Sequence, residues 1–123
     1  MALMGAQVLL YPTAIGSEPQ APDLDSSGHW RRTMQGHAAA NMVTLAASNR
    51  IGTEEEGDGL TFYGKSFVAD ETGALLADMG AEPGIALAEV DLKAQSEARA
   101  SWGLFRDRRP SRYGQITQEG DGK

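Results

Sequence analysis

The stretch QVLLYPTAIGSEP, residues 7–19, decides the fold. Its first part, Gln7–Tyr11, is a short continuous apolar run that stops at Pro12, which predicts a buried and parallel strand. In open α/β sheets, ligands bind at the carboxyl ends of strands, and YPTAIGSEP leaves this end. Glu18 is therefore expected at a binding edge, where its carboxylate can pair with an ammonium group. From spacing alone, a plain solvated glutamate remains the alternative.

The segments on either side of this strand are of different kinds. The preceding residues, MALMGA, favour a helix with glycine near its end, but a helix of about one turn without an N-terminal cap is unstable alone. We therefore expect the chain to begin inside a longer element. After the strand, Thr13–Gly28 is a long loop rich in Pro, Gly, Ser and Asp. Loops of this length in compact domains are usually functional or disordered.

The next elements follow from apolar periodicity. HWRRTMQGHAAANM predicts a helix capped by Ser26 or Ser27, and Val43–Ser48 predicts a second buried strand. Five residues of the helix share one face at steps of three and four: Trp30, Met34, His37, Ala38 and Asn41.

The second half of the chain is richer in strand patterns. LTFYGKSFVAD and ALLADMG, separated by Glu71-Thr72-Gly73, suggest a hairpin. Ile85–Val90 predicts a further strand that leads into a helix from about Asp91 to Ala100. Helices and strands that alternate in this way predict an α/β layered fold.

Composition excludes several classes of function. The 123 residues fit one domain, and the net charge of −6 argues against a general nucleic-acid binder while it is compatible with a cationic small molecule. No cysteine is present, so the chain holds no disulfide, thiolate metal site or cysteine nucleophile. The apolar start, Met1–Leu10, has no basic flank and is too short to cross a bilayer. We expect a soluble, cytoplasmic protein without a membrane association.

Familiar catalytic and metal-binding motifs fit poorly. Ser66 in GKSFV lacks the second glycine of a nucleophile elbow. His29 and His37 have no third ligand at a convincing spacing, so ordinary helix or interface histidines are favoured over a zinc site. The acidic turn that contains Glu54–Glu56 and Asp58 misses the alternating calcium-loop pattern. We predict no metal site and no cofactor.

Five stretches together carry a specific resemblance. They occur in family order: YPTAIGSEPQ (11–20), HWRRTMQGHAAAN (29–41), ASNRIG (47–52), FYGKSFVADETG (62–73) and SWGLFRDRRP (101–110). With these segments the chain resembles the N-carbamoylputrescine amidases, which are carbon–nitrogen hydrolases of the nitrilase superfamily. The similarity runs from Met1 to about Tyr113, so we expect residues 1–113 to be the C-terminal part of that domain and 114–123 a polar tail.

The resemblance implies an αββα sandwich, here incomplete as a domain, and an enzyme of polyamine biosynthesis. Its reaction would convert N-carbamoylputrescine and water to putrescine, carbon dioxide and ammonia. The family uses a cysteine nucleophile, a glutamate base and a lysine, without metal or organic cofactor. All three lie upstream of the matching segments, so no catalytic residue is carried over to this chain, and we expect the chain alone to be inactive.

What the resemblance carries over is the substrate side of the pocket. Glu18 matches a loop glutamate suited to hold the distal ammonium of putrescine, and three residues match the wall beside the nucleophile: Thr13, Ala14 and Ile15. Asn49 and Arg50 close a strand and are interpreted as structural. Family members usually form homo-oligomers, and four residues match a segment that often crosses their interface: Arg106, Asp107, Arg108 and Arg109. A solvated basic face is the alternative for that segment.

Two other hypotheses stay open. In the first, the chain is a truncated, non-catalytic paralogue that pairs with full-length subunits. In the second, it is part of another carbamoyl-amine or amide hydrolase, such as a β-ureidopropionase-like enzyme. A β-ureido acid ends in a carboxylate and would favour arginine at position 18, so Glu18 favours the diamine.

Overall fold

The computed structural model describes residues 1–57 and 59–120. Asp58 of the acidic turn and residues 121–123 of the predicted polar tail lie outside the described residues. In chain order, the helices and strands are β1 Val8–Thr13, α1 Ser27–Asn41, β2 Thr44–Asn49, β3 Ile51–Glu54, β4 Leu60–Tyr63, β5 Phe67–Ala69, β6 Leu75–Asp78 and α2 Leu92–Trp102. Three short 3-10 turns lie near the termini, at Ala2–Met4, Pro110–Arg112 and Gly114–Thr117.

Four strands form one mixed sheet in the order β1-β2-β5-β6. β1 and β2 are parallel, as predicted, and pair from Val8 with Thr44 to Thr13 with Asn49. β5 and β6 are antiparallel and confirm the predicted hairpin. A second hairpin, β3–β4, forms a separate two-stranded sheet. Its first strand, β3, was not predicted, because Thr53 and Glu54 were interpreted as part of the acidic turn.

Helix α1 covers one face of the sheet. Its Trp30 and Ala38 are buried, and the Trp30 ring meets the Phe67 ring edge-on with centroids 5.6 Å apart. The side chains of Leu9 and Leu45 complete this core from the strands. The predicted helix face is only partly confirmed, because His37 is exposed and contacts the Tyr11 hydroxyl through Nδ1 at 3.2 Å.

The opposite face of the sheet is open over β1. Leu10 is 71% exposed and Val8 39%, while Leu9 between them is buried. The prediction of a fully buried strand was therefore wrong. The apolar run is continuous in sequence, but within the described residues only the face towards α1 is covered.

Two strand boundaries also differ from the sequence expectation. β1 continues through Pro12, because an edge strand has outer backbone groups without a sheet partner and tolerates the missing N–H of proline. Ile85–Val90 is not a strand: Ile85 and Leu87 are about nine-tenths exposed, at 91% and 90%. A strand pattern forms a strand only when another strand lies beside it, and none of the described strands does.

The helix ends follow their local sequence. The first turn ends at Gly5, whose φ of 94° confirms the expected glycine terminus. α1 begins after Ser26, but the Ser26 hydroxyl makes no capping bond. Instead, Asp25 Oδ1 accepts the backbone N–H of Ser27 at 2.9 Å. Asp91 caps α2, close to the predicted start. No helix in the described part of the chain has the length and apolar character needed to cross a membrane.

Candidate functional site

The candidate site lies where β1 and β2 end side by side. Thr13 and Asn49 are partners in the parallel register, and the loop that carries all four predicted substrate-side residues leaves β1 at this point. The carboxyl ends of parallel strands are where α/β sheets place ligands, so the structure puts the loop at the expected edge.

Asn49 holds the start of this loop. Its Oδ1 accepts hydrogen bonds from Thr13 Oγ1 at 3.0 Å and from the Ile15 backbone N–H at 2.8 Å. Its Nδ2 donates to the backbone oxygens of Ile15 and Gly64, both at 2.9 Å. The side chain is buried, and its backbone N–H donates to Ser66 Oγ at 2.9 Å. The Ser66 hydroxyl therefore serves as a structural hydrogen-bond acceptor at the end of β2.

The β3–β4 hairpin holds the loop from the other side. Ser17 donates its backbone N–H to the Thr61 oxygen at 2.8 Å, and Tyr63 donates its own to the Ile15 oxygen at 3.2 Å. Gly16 lies between these bonds, and a Cβ added there would sit 2.4 Å from the Thr61 backbone oxygen. Only glycine allows this approach of two backbones. Neither the role of Gly16 nor the hairpin that requires it was predicted from the sequence.

The predicted substrate-side residues are therefore brought together in one short loop, with different exposures. Thr13 is half-buried with its hydroxyl bonded to Asn49, and the half-buried Ile15 packs against the core. Ala14 and Glu18 are exposed. Glu18 accepts the Ala21 backbone N–H at 2.8 Å through its backbone oxygen, which closes a turn.

A trough of about 440 Å³ lies on the open face of the sheet beside this loop. Its lining residues include Leu10, Pro12, Ala46, Ser48, Val68 and Met79. None of the four predicted substrate-side residues lines it. The trough therefore belongs to the uncovered apolar face of the sheet, and the predicted substrate-side residues do not form part of it.

A charged cluster ties the start of α1 to the sheet. Arg31 pairs with Asp78 through two hydrogen bonds, one of them 2.9 Å from Nη1 to Oδ2. Lys65 donates to Ser27 Oγ at 2.6 Å and lies 3.8 Å from the Asp25 carboxylate. The hydrogen bonds from Ser27 to the side chain of Asp25, with a smaller contribution from Lys65, lower the pKa of that carboxyl below its ordinary value. These charges are paired with one another, so the cluster is structural.

The arginine-rich C-terminal segment folds on itself. Arg106 and Asp107 form an exposed ion pair with Nε and Oδ1 2.8 Å apart, which lowers the pKa of the Asp107 carboxyl. Arg109 donates its backbone N–H to the Tyr113 hydroxyl at 2.9 Å, and the Arg108 guanidinium lies 5.8 Å from the centre of that ring. The predicted interface role of these residues stays a prediction.

Among residues 1–57 and 59–120, no three histidine or acidic side chains converge as a metal site would require.

Comparison with known proteins gives a consistent result. A model of the carbon–nitrogen hydrolase family matches residues 1–100. The N-carbamoylputrescine amidase of Solanum tuberosum is 56% identical over 119 residues, which are 92% of this chain and 40% of the relative. The citrullinase of Francisella tularensis is 52% identical over 121 residues, or 97% of this chain and 42% of the relative. The chain thus spans about 40% of the length of the curated relatives it matches.

Solved structures agree on the fold. The carbon–nitrogen hydrolase of Helicobacter pylori G27 has a TM-score of 0.84 and 36% identity, and covers 97% of this chain and 43% of its own. The NitFhit protein of Caenorhabditis elegans has a TM-score of 0.72 and 25% identity over 88% of this chain and 24% of its own. The expectation of an α/β fold that forms part of a nitrilase-type domain is confirmed.

Proposed function

The chain belongs to the carbon–nitrogen hydrolase family, and from this premise we propose that it forms the substrate side of an N-carbamoylputrescine amidase. The reaction would convert N-carbamoylputrescine and water to putrescine, carbon dioxide and ammonia. The observation that carries the proposal is Glu18, an exposed carboxylate on a loop held from two sides at the carboxyl ends of β1 and β2. The high identity to amidases of this name over nearly the whole chain supports it.

In this proposal the two parts of the enzyme have separate roles. A thiolate from polypeptide outside this chain attacks the carbamoyl carbon, the amine leaves, and activated water releases the acyl group. Thr13, Ala14 and Ile15 form the wall beside the reacting carbon. Glu18 binds the distal ammonium of the diamine through a charge-assisted hydrogen bond, which would fix the substrate in register.

Citrulline is the second candidate substrate, because one of the relatives is a citrullinase. It also carries a carbamoyl group on one amine and an ammonium at the far end, but adds a carboxylate beside that ammonium. An exposed Glu18 would attract the ammonium and repel the carboxylate. We therefore favour the diamine. The same repulsion argues against a β-ureido acid, whose tail is a carboxylate alone.

The test uses what we call the complemented enzyme: this chain in place of the segment that it matches in the potato amidase. We expect it to hydrolyse N-carbamoylputrescine with a higher kcat/KM than citrulline or N-carbamoyl-β-alanine. Ammonia release measures all three. Faster turnover of citrulline would make citrulline, and not N-carbamoylputrescine, the preferred substrate. Turnover of none of the three would reject the proposed function.

Glu18→Gln in the complemented enzyme tests the ammonium contact. We expect its KM to rise for N-carbamoylputrescine but not for N-carbamoylbutylamine, whose tail has the same carbon chain without the terminal ammonium. Glu71→Gln, an acidic residue in the β5–β6 turn, serves as the matched control and should change neither KM. Equal changes for both substrates with Glu18→Gln would remove Glu18 from the pocket.

We also propose that the 123-residue chain alone is inactive, because it holds no cysteine for the nucleophilic step. Its uncovered apolar face predicts poor solubility or molten behaviour in isolation. Ammonia release by the purified chain would contradict the first point, and a sharp cooperative melt would contradict the second. If the chain instead binds complete subunits without supplying turnover, the non-catalytic paralogue is the better description.

A further inference from the structure

We propose that Asn49 is a positioning residue that sets where the Glu18 loop stands relative to the substrate, and this inference rests on the proposed function. The side-chain hydrogen bonds of Asn49 go to Thr13, Ile15 and Gly64, and none of them goes to Glu18. Asn49 acts through Ile15, whose backbone N–H and oxygen are both bonded to the Asn49 amide, at 2.8 and 2.9 Å. Glu18 follows three residues later on the same loop.

The side chain of asparagine fits this role completely. A carboxamide offers an oxygen that accepts two hydrogen bonds and a nitrogen that donates two, and Asn49 uses all four with Thr13, Ile15 and Gly64. The partners fix the orientation of the amide, because an N–H and an O–H face its oxygen and two carbonyls face its nitrogen. Aspartate would turn the two donated bonds into repulsions between oxygens.

The position of the amide is itself fixed. Asn49 ends β2, and its backbone N–H donates to Ser66 Oγ just before β5 begins. Only Arg50 separates β2 from β3, and its backbone N–H donates to the Thr13 oxygen at 3.1 Å. A side chain anchored in this way transmits the position of the sheet to the loop, rather than following the motion of the loop.

Gln95 provides a matched comparison within the same fold. It is also a buried amide that joins separate elements, bonded to Thr44 and to the Gln7 backbone oxygen. Asn49 and Gln95 therefore hold opposite ends of β2. Loss of either amide should weaken the fold, but only loss of Asn49 should change how the Glu18 loop meets a charged substrate.

The experiment compares Asn49→Ala, Asn49→Asp and Gln95→Ala in the complemented enzyme. The main readout is the ratio of kcat/KM for N-carbamoylputrescine to that for uncharged N-carbamoylbutylamine. We expect both Asn49 variants to lower this ratio by about tenfold, the effect of one weakened charge-assisted hydrogen bond, while Gln95→Ala leaves it unchanged. Thermal midpoints should fall for Asn49→Ala and Gln95→Ala alike.

A second readout does not depend on turnover. Hydrogen exchange should become faster at the Ile15 and Ser17 amides in both Asn49 variants, but not in Gln95→Ala. If exchange at these two amides is unchanged in the Asn49 variants, the inference is overturned, even if the wild-type complemented enzyme has no amidase activity. If the wild type prefers the diamine and the substrate ratio is the same in every variant, the inference fails while the proposed function stands.

Discussion

Gln95 on α2 accepts two hydrogen bonds from Thr44, the first residue of β2, through a single oxygen: the backbone N–H lies 2.9 Å and the hydroxyl 2.8 Å from Oε1. Both residues are almost fully buried, at 1% and 2% exposure. The Gln95 nitrogen donates in turn to the backbone oxygen of Gln7 at 2.9 Å. One side chain thus satisfies three polar atoms at the amino ends of β1 and β2.

The first prediction concerns this contact. Gln95→Ala leaves the buried N–H and hydroxyl of Thr44 without this partner, as well as the partly buried oxygen of Gln7. Each unsatisfied buried polar atom costs about 1–3 kcal/mol. We expect the complemented enzyme to lose about 3 kcal/mol of stability in total, measured as a lower thermal midpoint. Ser96→Ala on the neighbouring position of α2 is the control and should change the midpoint little. Similar midpoints for both variants would mean that α2 is held by other contacts.

Two glycines should respond to alanine with opposite signs. A methyl group at Gly16 meets the Thr61 backbone oxygen at 2.4 Å, so Gly16→Ala should destabilise the enzyme by about 2 kcal/mol or more. Gly36 lies inside α1 with open space around it, so Gly36→Ala should stabilise by about 0.5–1 kcal/mol. Thermal midpoints measure both. A raised midpoint for Gly16→Ala would contradict the close approach at Gly16, and a lowered midpoint for Gly36→Ala would contradict the open space at Gly36.

The turn between β5 and β6 predicts a pH dependence. Partial burial disfavours the ionised Asp70 carboxylate, but hydrogen bonds from Thr72, Ala74 and Gly73 outweigh it and lower its pKa below 3.8. A lowered folded-state pKa adds stability above the unfolded value and loses it as pH falls through the folded one. Asp70→Asn should therefore destabilise at neutral pH and approach the wild type in acid.

Urea titrations at pH 7 and at pH 3 or below measure this difference. The neighbouring Glu71→Gln is the control, and its effect should be small at both pH values. A constant difference between Asp70→Asn and the wild type across this range would show that the hydrogen bonds, and not the charge, stabilise the turn.

The arginine-rich segment predicts an effect on assembly, if its proposed interface role is correct. Arg108→Glu with Arg109→Glu should shift the complemented enzyme towards smaller species in sedimentation, because reversed charges oppose their former partners across the interface. Lys93→Glu, an exposed charge reversal on α2, should leave the sedimentation unchanged. An unaltered size distribution in the double variant would leave this segment as a solvated basic face.

Local sequence patterns were sufficient to predict the elements whose pairing or packing partners lie within this chain. The parallel pair β1–β2, helix α1 and the β5–β6 hairpin all have their partners close in space, and the sequence predicted each. Ile85–Val90 has an equally good strand pattern but remains without regular structure, because no described strand lies beside it. A sequence pattern shows that a segment is able to form a strand, but the strand forms only when a neighbouring strand supplies hydrogen-bond partners.

The site shows the same division. Glu18 was found from its place after a strand and from family resemblance, both of which are visible in the sequence. Asn49 was interpreted only as structural, since nothing in ASNRIG reveals that its amide reaches across to Ile15. Gly16 was missed because the reason for its small size is a backbone oxygen far along the chain, at Thr61.

The contact between Gly16 and Thr61 also has a consequence for inheritance. Any missense change in the codon of a glycine adds at least one carbon, and at position 16 the added carbon has no space to occupy. We therefore expect selection to retain glycine at position 16, while position 36 tolerates substitution. Sequences descended from this gene should then vary more at position 36 than at position 16.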